Sequence, residues 1–323
     1  MTVDELYMSR CLELAALGLG NVQPNPMVGA VIVAHDNIIG EGWHRKYGEP
    51  HAEINAFRTV EKKELLPMAT LYVNLEPCSH FGKTPPCADA IIANEIPRVV
   101  IGNVDPNTKV DGKGVAKLQQ AGIEVVTGVL DEECRNLNRR FFTYHQKKRP
   151  YVILKWAQTA DGYMDVERSE DGSAPPYWIT NQELKTLTHK WRSEEDAIVV
   201  GFNTWKNDRP RLTTRLFPGK DPQAFIAAQG AGEITPEPPF VFLSDQPADM
   251  LEELYEKKIQ SVIVEGGRKV LDRFLEHGLW DEIRILVGDQ QWGKGLPAPL
   301  LQHEIDQELT IRNHKIRYVR RHV

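Results

Sequence analysis

One histidine, one glutamate and two cysteines in the first half of the chain have the types and spacing of a hydrolytic zinc site. They occur as His51-Ala52-Glu53, then Cys78 and Cys87, and each cysteine directly follows a proline. An imidazole and two thiolates supply three ligands of a tetrahedral zinc ion, and an open fourth position distinguishes a catalytic zinc from a structural one. Water in that position has its pKa lowered to about 7. Glu53 is close enough to His51 to exchange protons with this water without binding the metal, so the set predicts hydrolytic attack on an amidine-like ring carbon.

The elements that must position these residues alternate between helix and strand signals. Thr2 and Glu5 form a capping box for a first helix. Hydrophobic spacing predicts strands over 28–33, 38–42, 71–75, 99–101 and 124–127, and helices over 52–61, 88–94 and 114–120. A hairpin followed by βα units predicts a mixed sheet covered by helices, which is a three-layer α/β/α domain. His51 and Cys87 then fall at helix N-termini, where the helix dipole favours a thiolate.

A second domain is expected after a boundary near residue 146. A charged helical stretch over 131–146 leads into the basic, proline-containing run at 147–150. We therefore predict one domain over 1–146 and another over 147–323.

The second half is also predicted to be an α/β domain. A strand is expected over 151–157, a helix opened by a capping box of Thr180 and Glu183, and a loop over 229–239. A strand from 261 leads through Gly266 and Gly267 into a helix that ends near 277. The two glycines fit either a phosphate site at a helix start or a tight turn, and the residues alone favour the turn.

Composition excludes several classes of protein. The 323 residues predict two domains, and 41% hydrophobic with 26% charged residues is ordinary globular usage. A net charge of −6 argues against bulk binding to nucleic acid. The N-terminus is acidic rather than basic, and no apolar run reaches the ~20 residues of a membrane span. These two features predict a cytoplasmic protein that does not bind membranes. Four cysteines are too few for a disulfide scaffold, so a clustered pair of them is interpreted as metal-binding or catalytic.

The first half resembles the His-x-Glu…Pro-Cys-x-x-Cys signature of zinc-dependent nucleobase deaminases. Eight residues, rather than two, separate Cys78 from Cys87. The segment over 77–87 resembles the long ligand loop of the deaminase half of a bifunctional deaminase/reductase family in riboflavin biosynthesis. Four further blocks are similar to that family: Pro24-Asn25-Pro26-Met27-Val28-Gly29, Gly42-Trp43-His44, Gly48-Glu49-Pro50-His51-Ala52-Glu53, and Asp105-Pro106-Asn107.

This resemblance implies roles for residues around the predicted zinc site. It implies that His51, Cys78 and Cys87 bind zinc and that Glu53 moves protons. The substrate side chains that it implies are Asn25, His44 and His80 near the pyrimidine ring and Lys83 near the phosphate. On the residues alone, Asn25 between two prolines also fits a turn, and Lys83 also fits a solvated surface lysine.

The second half contains no Gly-x-Gly-x-x-Gly or Walker-type loop, but it resembles the reductase half of the same family. The similar blocks are Lys155-Trp156-Ala157-Gln158-Thr159-Ala160-Asp161-Gly162, Trp178-Ile179-Thr180-Asn181, His189-Lys190-Trp191-Arg192, Pro210-Arg211-Leu212-Thr213-Thr214-Arg215 and Val264-Glu265-Gly266-Gly267. That half is similar in fold to dihydrofolate reductase, which implies NADPH binding without a dinucleotide fingerprint. The implied substrate residues are Lys155, Arg192, Leu212, Arg215 and Glu265. The implied NADPH residues are Ala157, Trp178, Thr204, Asp208 and Gly267.

Two positions in the second half depart from the family pattern. Pro176 stands where the family usually has a substrate-contacting serine, and Arg209 replaces the second acid of an Asp-Asp-Pro run. These departures leave open a weakened or silent reductase. Lys155 also fits an exposed strand lysine at a sheet edge. The large aromatics are interpreted as core residues rather than cofactor contacts: Trp156, Trp191, Trp205 and Trp280.

The expected protein is a bifunctional enzyme of riboflavin synthesis that requires Zn²⁺ and NADPH. The resemblance implies hydrolytic deamination of 2,5-diamino-6-ribosylamino-4(3H)-pyrimidinone 5′-phosphate, followed by reduction of the ribosyl chain to ribityl. We expect this phosphorylated pyrimidine to be the small-molecule partner, and the chain to form a homo-oligomer, a dimer or a tetramer. The rival hypotheses are a deaminase of bases in nucleic acid, a deaminase fused to a silent domain, and a purely structural zinc module.

Overall fold

The computed structural model describes residues 1–79, 85–106, 112–167, 177–228 and 240–321. The internal contacts divide the chain into two compact units, Met1–Lys147 and Lys148–Val323. None of the helices in these described ranges is long and apolar enough to cross a lipid bilayer.

The first unit is organised around a mixed sheet. Its strands are β1 (Gly29–Ala34), β2 (Asn37–Trp43), β3 (Thr70–Leu75), β4 (Arg98–Asn103) and β5 (Glu124–Thr127). They lie in the order β2-β1-β3-β4-β5, where β1 is antiparallel to β2 and β3, and β3, β4 and β5 are parallel. The helices are α1 (Val3–Ala16), α2 (Ala52–Thr59), a 3-10 helix (Lys63–Met68), α3 (Cys87–Ala93), α4 (Lys113–Gln120), α5 (Asp131–Leu137) and α6 (Arg139–Lys147).

Helices cover both faces of this sheet. Ala56 of α2, Ile91 of α3 and Leu118 of α4 belong to one buried cluster with inward residues of β1, β3 and β4. On the other face, α1 contributes Met8 and α5 contributes Cys134 to a second cluster. The three-layer α/β/α prediction is therefore confirmed.

Local signals explain both a success and an error at the helix ends. The capping box is present: Thr2 Oγ1 accepts from the Glu5 N–H at 3.2 Å, and the Glu5 carboxylate accepts from the Thr2 N–H at 2.7 Å. The single helix predicted over 131–146 is wrong, because α5 ends at Leu137 and α6 begins at Arg139. Asn138 separates them, and its side-chain oxygen accepts from the buried N–H of Met27 at 2.8 Å.

The second unit contains a larger mixed sheet. Its strands are β6 (Tyr151–Gln158), β8 (Ala197–Gly201), β9 (Gln223–Ala227), β10 (Val241–Leu243), β11 (Ser261–Val264), β12 (Glu282–Val287), β14 (Gln307–Ile311) and β15 (His314–Arg320), and a separate small sheet pairs β7 (Tyr163–Asp165) with β13 (Leu296–Pro297). The order is β10-β9-β8-β11-β6-β12-β15-β14, parallel from β10 to β12 and antiparallel from β12 to β14. The helices are α7 (Gln182–Glu194), α8 (Phe202–Asp208), α9 (Pro247–Glu256) and α10 (Arg268–Glu276).

Two clusters cover the faces of this sheet. Helices α9 and α10 pack on one face, and α7 and α8 pack on the other. The tryptophans predicted as core are all buried, as their size favours: Trp156, Trp191, Trp205 and Trp280. The predicted α/β class is confirmed here as well.

The start of α7 corrects the sequence prediction. Thr180 is not the cap; Asn181 occupies that position, and its side-chain oxygen accepts from the Leu184 N–H at 3.0 Å. Asparagine is among the strongest N-cap residues and ranks above threonine, which favours Asn181 over the adjacent Thr180. The loop predicted over 229–239 lies outside the described residues.

Candidate active sites

The structure brings the three predicted metal ligands together in the first unit. The Nδ1 atom of His51 lies 3.6 Å from Cys78 Sγ and 3.3 Å from Cys87 Sγ. All three donor atoms lie within 4.8 Å of one another. His51 and Cys87, which are 36 residues apart in the sequence, therefore lie together with Cys78. They are placed by the starts of α2 and α3 and by the segment that follows β3.

The spacing and chemistry of these donors fit zinc. Zn–S bonds of about 2.3 Å and Zn–N bonds of about 2.0 Å at tetrahedral angles place sulfur and nitrogen about 3.5 Å apart. Cys78 Sγ also accepts from the Cys87 N–H at 3.3 Å, an orienting contact suited to a metal-bound thiolate. The donor set is soft sulfur with imidazole, which suits zinc better than calcium or magnesium.

Local structure explains the placement of His51 and Glu53. His51 is the N-cap of α2, but its side chain makes no capping bond, which leaves the imidazole directed at the sulfurs. A Cβ on Gly42 would lie 2.5 Å from the Ala56 backbone nitrogen, so only glycine in β2 lets α2 lie this close. The approach fixes the first turn of α2, and Glu53 on that turn is only 3% exposed.

The environment shifts the ionisation of the site residues. Burial raises the pKa of Glu53, although the charge on His51 opposes this effect. The Cys87 thiol and His51 lower the pKa of Cys78 despite its burial. Contact with Cys78 in turn raises the pKa of Cys87. Cys78 is thus the first of the two thiols to ionise, and burial makes the Glu53 carboxylate a stronger proton acceptor than an exposed glutamate.

Asn25 and His44 are also brought to this site. The ring of His44 lies 5.4 Å from that of His51, edge to face. Its Nε2 accepts from Asn25 Nδ2 at 3.1 Å, so Nδ1 carries the proton and donates to the Pro50 carbonyl at 3.1 Å. Burial lowers the pKa of His44, which favours this neutral tautomer. Asn25 therefore has a defined orientation beside His44, near the candidate metal ligands, and its N–H also binds the Val22 carbonyl at 2.9 Å, as in a turn.

Two buried asparagines that the sequence analysis missed hold the segment carrying Asn25. Asn74 Oδ1 accepts from the Gly29 N–H at 2.8 Å, and its Nδ2 donates to the Met27 carbonyl at 3.0 Å. Asn138 binds both the N–H and the carbonyl of Met27, at 2.8 and 2.9 Å. The sequence carried a signal only for Asn74, a polar residue inside an apolar strand.

Replacing Asn138 with alanine is expected to destabilise the first unit by about 1–3 kcal/mol, since it leaves the buried Met27 backbone without partners. Deamination should weaken because Asn25 loses its fixed position. Urea unfolding and ammonia release measure the two effects. N136A, an exposed asparagine on α5, is the matched control; equal behaviour of the two variants would contradict the prediction.

A buried charge cluster forms in the second unit from three predicted substrate residues. Arg192 on α7 makes two 2.7 Å bonds to Glu265, which follows β11. Its remaining terminal nitrogen donates to the Thr213 carbonyl at 3.1 Å. Lys155 Nζ on β6 lies 3.8 Å from the same carboxylate. Because β6 pairs with β11 on one side and β12 on the other, Lys155 is not an exposed edge lysine.

The charges in this cluster stabilise one another. Burial alone would raise the pKa of Glu265, but Arg192 and Lys155 lower it to about 2. Burial lowers the pKa of Lys155, and Glu265 opposes that shift. The cluster therefore places a fixed carboxylate and two cations at the carboxyl ends of central parallel strands, where ligands of open α/β sheets bind.

A cavity of about 1070 Å³ lies beside this cluster's strands. Three of the predicted NADPH residues line it: Thr204, Asp208 and Gly267. Gly267 has φ +63°, and a Cβ there would lie 3.3 Å from Thr204 Oγ1, so glycine lets α10 begin against α8. Ala157 and Trp178 are not among the described lining residues. Trp178 is largely exposed and is covered by Lys185, whose Nζ lies 3.5 Å from the ring centre.

The remaining predicted residues are distributed as follows. Leu212 is buried, while Arg215 is exposed and lines a separate groove of about 920 Å³. Arg209 stacks on Trp205, 4.3 Å from the ring centre. His80, Lys83 and Pro176 lie outside the described residues.

Comparisons with known proteins cover both units. A family model described as the RibD C-terminal domain matches residues 150–321, and one described as the cytidine and deoxycytidylate deaminase zinc-binding region matches residues 1–103. The riboflavin biosynthesis protein RibD of Aquifex aeolicus (strain VF5) is 39% identical, over 97% of this chain and 95% of that protein. RibD of Bacillus amyloliquefaciens is 37% identical, over 94% and 89%. The crystal structure of a diaminohydroxyphosphoribosylaminopyrimidine deaminase/5-amino-6-(5-phosphoribosylamino)uracil reductase from Thermotoga maritima is similar with TM-score 0.87 and 38% identity, over 98% of both chains.

Proposed function

Since the chain belongs to the RibD family of bifunctional riboflavin-biosynthesis enzymes, with a zinc-binding deaminase domain and a reductase domain, we propose which substrate it takes and which residues act. The substrate is 2,5-diamino-6-ribosylamino-4(3H)-pyrimidinone 5′-phosphate. Hydrolysis replaces the amino group on the amidine-like ring carbon with oxygen and releases that group as ammonia. The ribosyl chain of the product is then reduced to ribityl. The two activities of the similar Thermotoga maritima enzyme, a deaminase and a reductase of 5-amino-6-(5-phosphoribosylamino)uracil, support this order of chemistry.

The proposed deamination depends most on the convergence of His51, Cys78 and Cys87 beside Glu53. These three residues would hold zinc, which makes a water molecule nucleophilic near neutral pH. Glu53 accepts a proton from the attacking water and delivers it to the leaving nitrogen, so the amino group departs as ammonia. Asn25 and His44 orient the pyrimidine ring, and His80 and Lys83 complete the ring and phosphate contacts.

For the second activity, the reductase domain implies a nicotinamide cofactor, and we propose NADPH. The cofactor supplies the hydride that reduces the sugar carbon. Thr204, Asp208 and Gly267 on the cavity wall support this placement, with Ala157 and Trp178 as further proposed contacts.

The proposed substrate contacts of the reductase lie around the Glu265 cluster. Arg192 and Glu265, locked by two hydrogen bonds, form a rigid polar surface for the sugar phosphate. Lys155 is the electrostatic partner of the opened ribose. Leu212 and Arg215 complete the proposed substrate contacts.

We also propose that the chain works in the cytoplasm as a homo-oligomer, a dimer or a tetramer. The four cysteines are not joined in disulfides, as expected for a reducing compartment. Strand β14 ends the large sheet and its side chains are mostly exposed, which leaves an edge that a second copy could cover. Light scattering on the full chain measures the oligomeric state.

Supplying the pyrimidine phosphate with and without NADPH is expected to release ammonia at similar rates in both cases. NADPH absorbance should fall only after deamination has begun, with about one NADPH oxidised per ammonia released. The experiment follows ammonia and nicotinamide absorbance in one cuvette, and NADH in place of NADPH tests the cofactor.

Ammonia release without any NADPH oxidation would favour a silent reductase half over the bifunctional assignment. No ammonia release from zinc-loaded protein would overturn the substrate assignment. Salt-sensitive retention on single-stranded DNA would favour the nucleic-acid deaminase instead.

A further inference from the structure

Glu76 is a buried carboxylate that binds four backbone N–H groups, and the proposed chemistry does not use it. Glu76 is only 4% exposed. One oxygen accepts from the N–H groups of Asp105 and Gly112, at 3.1 and 3.0 Å. The other accepts from Gly114 and Val115, at 2.8 and 3.1 Å, in the first turn of α4. Helix N–H groups at this position have no partner within the helix, so Glu76 both satisfies them and complements the helix dipole.

A single proline separates Glu76 from the candidate metal ligand Cys78. A Cβ on Gly114 would lie only 2.1 Å from the Pro77 carbonyl oxygen, so the start of α4 packs directly against the backbone between Glu76 and Cys78. The Glu76 N–H is also bound, to the Asn103 carbonyl at 2.8 Å. Proline restricts φ at the intervening residue, which limits how far Cys78 can move once Glu76 is fixed.

Cys78 is held from its other side by α3. Its carbonyl accepts from the Ala88 N–H at 3.1 Å, and its sulfur accepts from the Cys87 N–H at 3.3 Å. The position of the Cys78 sulfur is therefore fixed by two sets of contacts. One set joins Glu76 to the start of α4, and the other joins Cys78 itself to the start of α3.

We propose that Glu76 is a positioning residue for the metal site, which clamps Cys78 by anchoring the backbone from Glu76 to Cys78 to the start of α4. The inference rests on the proposed role of Cys78 as a zinc ligand. It assigns to Glu76 a contribution to metal affinity in addition to any contribution to folding. Residues that support metal ligands from outside typically change affinity by about 10- to 100-fold when they are replaced.

Glutamine is the sharpest replacement because it keeps the shape of the side chain and changes only the acceptor capacity. An amide has one acceptor oxygen and one NH₂ donor, whereas each carboxylate oxygen of Glu76 receives two N–H groups. In E76Q, the NH₂ group faces two further donors, and that pair of N–H groups loses its acceptor. The start of α4 should withdraw from Pro77, and the Cys78 sulfur should lose its fixed position.

The experiment measures zinc affinity of the full chain by competition with a chromophoric chelator, and records the thiolate-to-metal absorption of Co²⁺-substituted protein. We expect E76Q to bind zinc about 10- to 100-fold more weakly than wild type and to give a weakened or shifted Co²⁺ absorption band. L118A is the matched control, since Leu118 is fully buried on the same helix but is not one of the four residues whose N–H groups bind Glu76. Urea unfolding places the two variants on one stability scale.

The zinc affinities of E76Q and L118A, compared at similar stability, distinguish a positioning role from a purely structural one. Weaker zinc binding by E76Q than by L118A at comparable loss of stability supports a positioning role. Equal zinc affinity in E76Q and wild type, or equal losses in E76Q and L118A, would overturn it. If E76Q is recovered unfolded, E76D replaces it, since aspartate keeps the charge on a shorter side chain, and the same criteria apply. Wild-type protein that binds no zinc would instead overturn the proposed function.

Discussion

Replacing Glu53 with glutamine is expected to slow ammonia release by about 10²- to 10⁴-fold, the usual contribution of general acid–base catalysis. Glutamine fills the same buried space on the first turn of α2 but cannot accept and return a proton. Zinc content should stay near the wild-type value, because Glu53 is not one of the three clustered donor residues. Ammonia release at saturating substrate, together with metal analysis of the purified variant, measures both effects.

E61Q is the matched control, because Glu61 is an exposed acid shortly after the same helix. Its deamination rate should equal that of wild type. In E53Q, NADPH oxidation with the deaminated pyrimidine should also be unchanged, which shows that the second unit remains folded. If E53Q deaminates the substrate at the wild-type rate, Glu53 has no part in the mechanism. If E53Q loses both its zinc and its activity, Glu53 is instead a ligand or a structural residue.

Replacing Glu265 with glutamine is expected to abolish reduction and to destabilise the second unit by about 3–5 kcal/mol. The change leaves the charges of Arg192 and Lys155 buried without their carboxylate, and removing one partner of a buried ion pair is costly. Ammonia release should be unaffected. NADPH oxidation and urea unfolding of the second unit measure the two effects, and E252Q, at an exposed position on α9, is the control.

The stability lost in E265Q should depend on pH in a defined direction. The pKa of Glu265 is lowered from its ordinary value to about 2, so its ionised form stabilises the folded state. That contribution is fully present above an ordinary glutamate pKa of about 4.5 and disappears as pH falls toward 2. The difference in unfolding free energy between wild type and E265Q should therefore shrink over this range. A constant difference would show that the carboxylate charge is not what stabilises the cluster.

Most secondary elements near the first site could be predicted because local rules decide them. The turn of the β1–β2 hairpin lies at His35 and Asp36, both with positive φ, directly between the two strands that hydrophobic spacing predicts. The three candidate metal ligands could be selected from the sequence because zinc chemistry permits few residue types at few spacings, and the structure brings their donor atoms together. Their convergence follows from the parallel order of β3 and β4 and from helices that begin at the strand ends.

The errors and omissions involve long-range polar contacts. A helical pattern over 131–146 gave no sign that Asn138 would turn its side chain toward Met27, 111 residues away. The four backbone partners of Glu76 lie between 29 and 39 residues further along the chain. Such contacts depend on which segments the fold brings together, so neither hydrophobic periodicity nor local propensity encodes them. The cap of α7 is a different case, because Thr180 and Asn181 both satisfy the local capping rule and the sequence pattern alone does not separate them.

The two hydrogen bonds between Met27 and Asn138 also affect when parts of the first unit can form as the chain is synthesised. A nascent chain that has left the ribosome only as far as β5 already contains His51, Cys78 and Cys87. It still lacks the amide that anchors the segment bearing Asn25. The three candidate metal ligands therefore precede the helices that close the first unit in the order of synthesis, whereas the segment bearing Asn25 gains its Asn138 anchor only after those helices have left the ribosome.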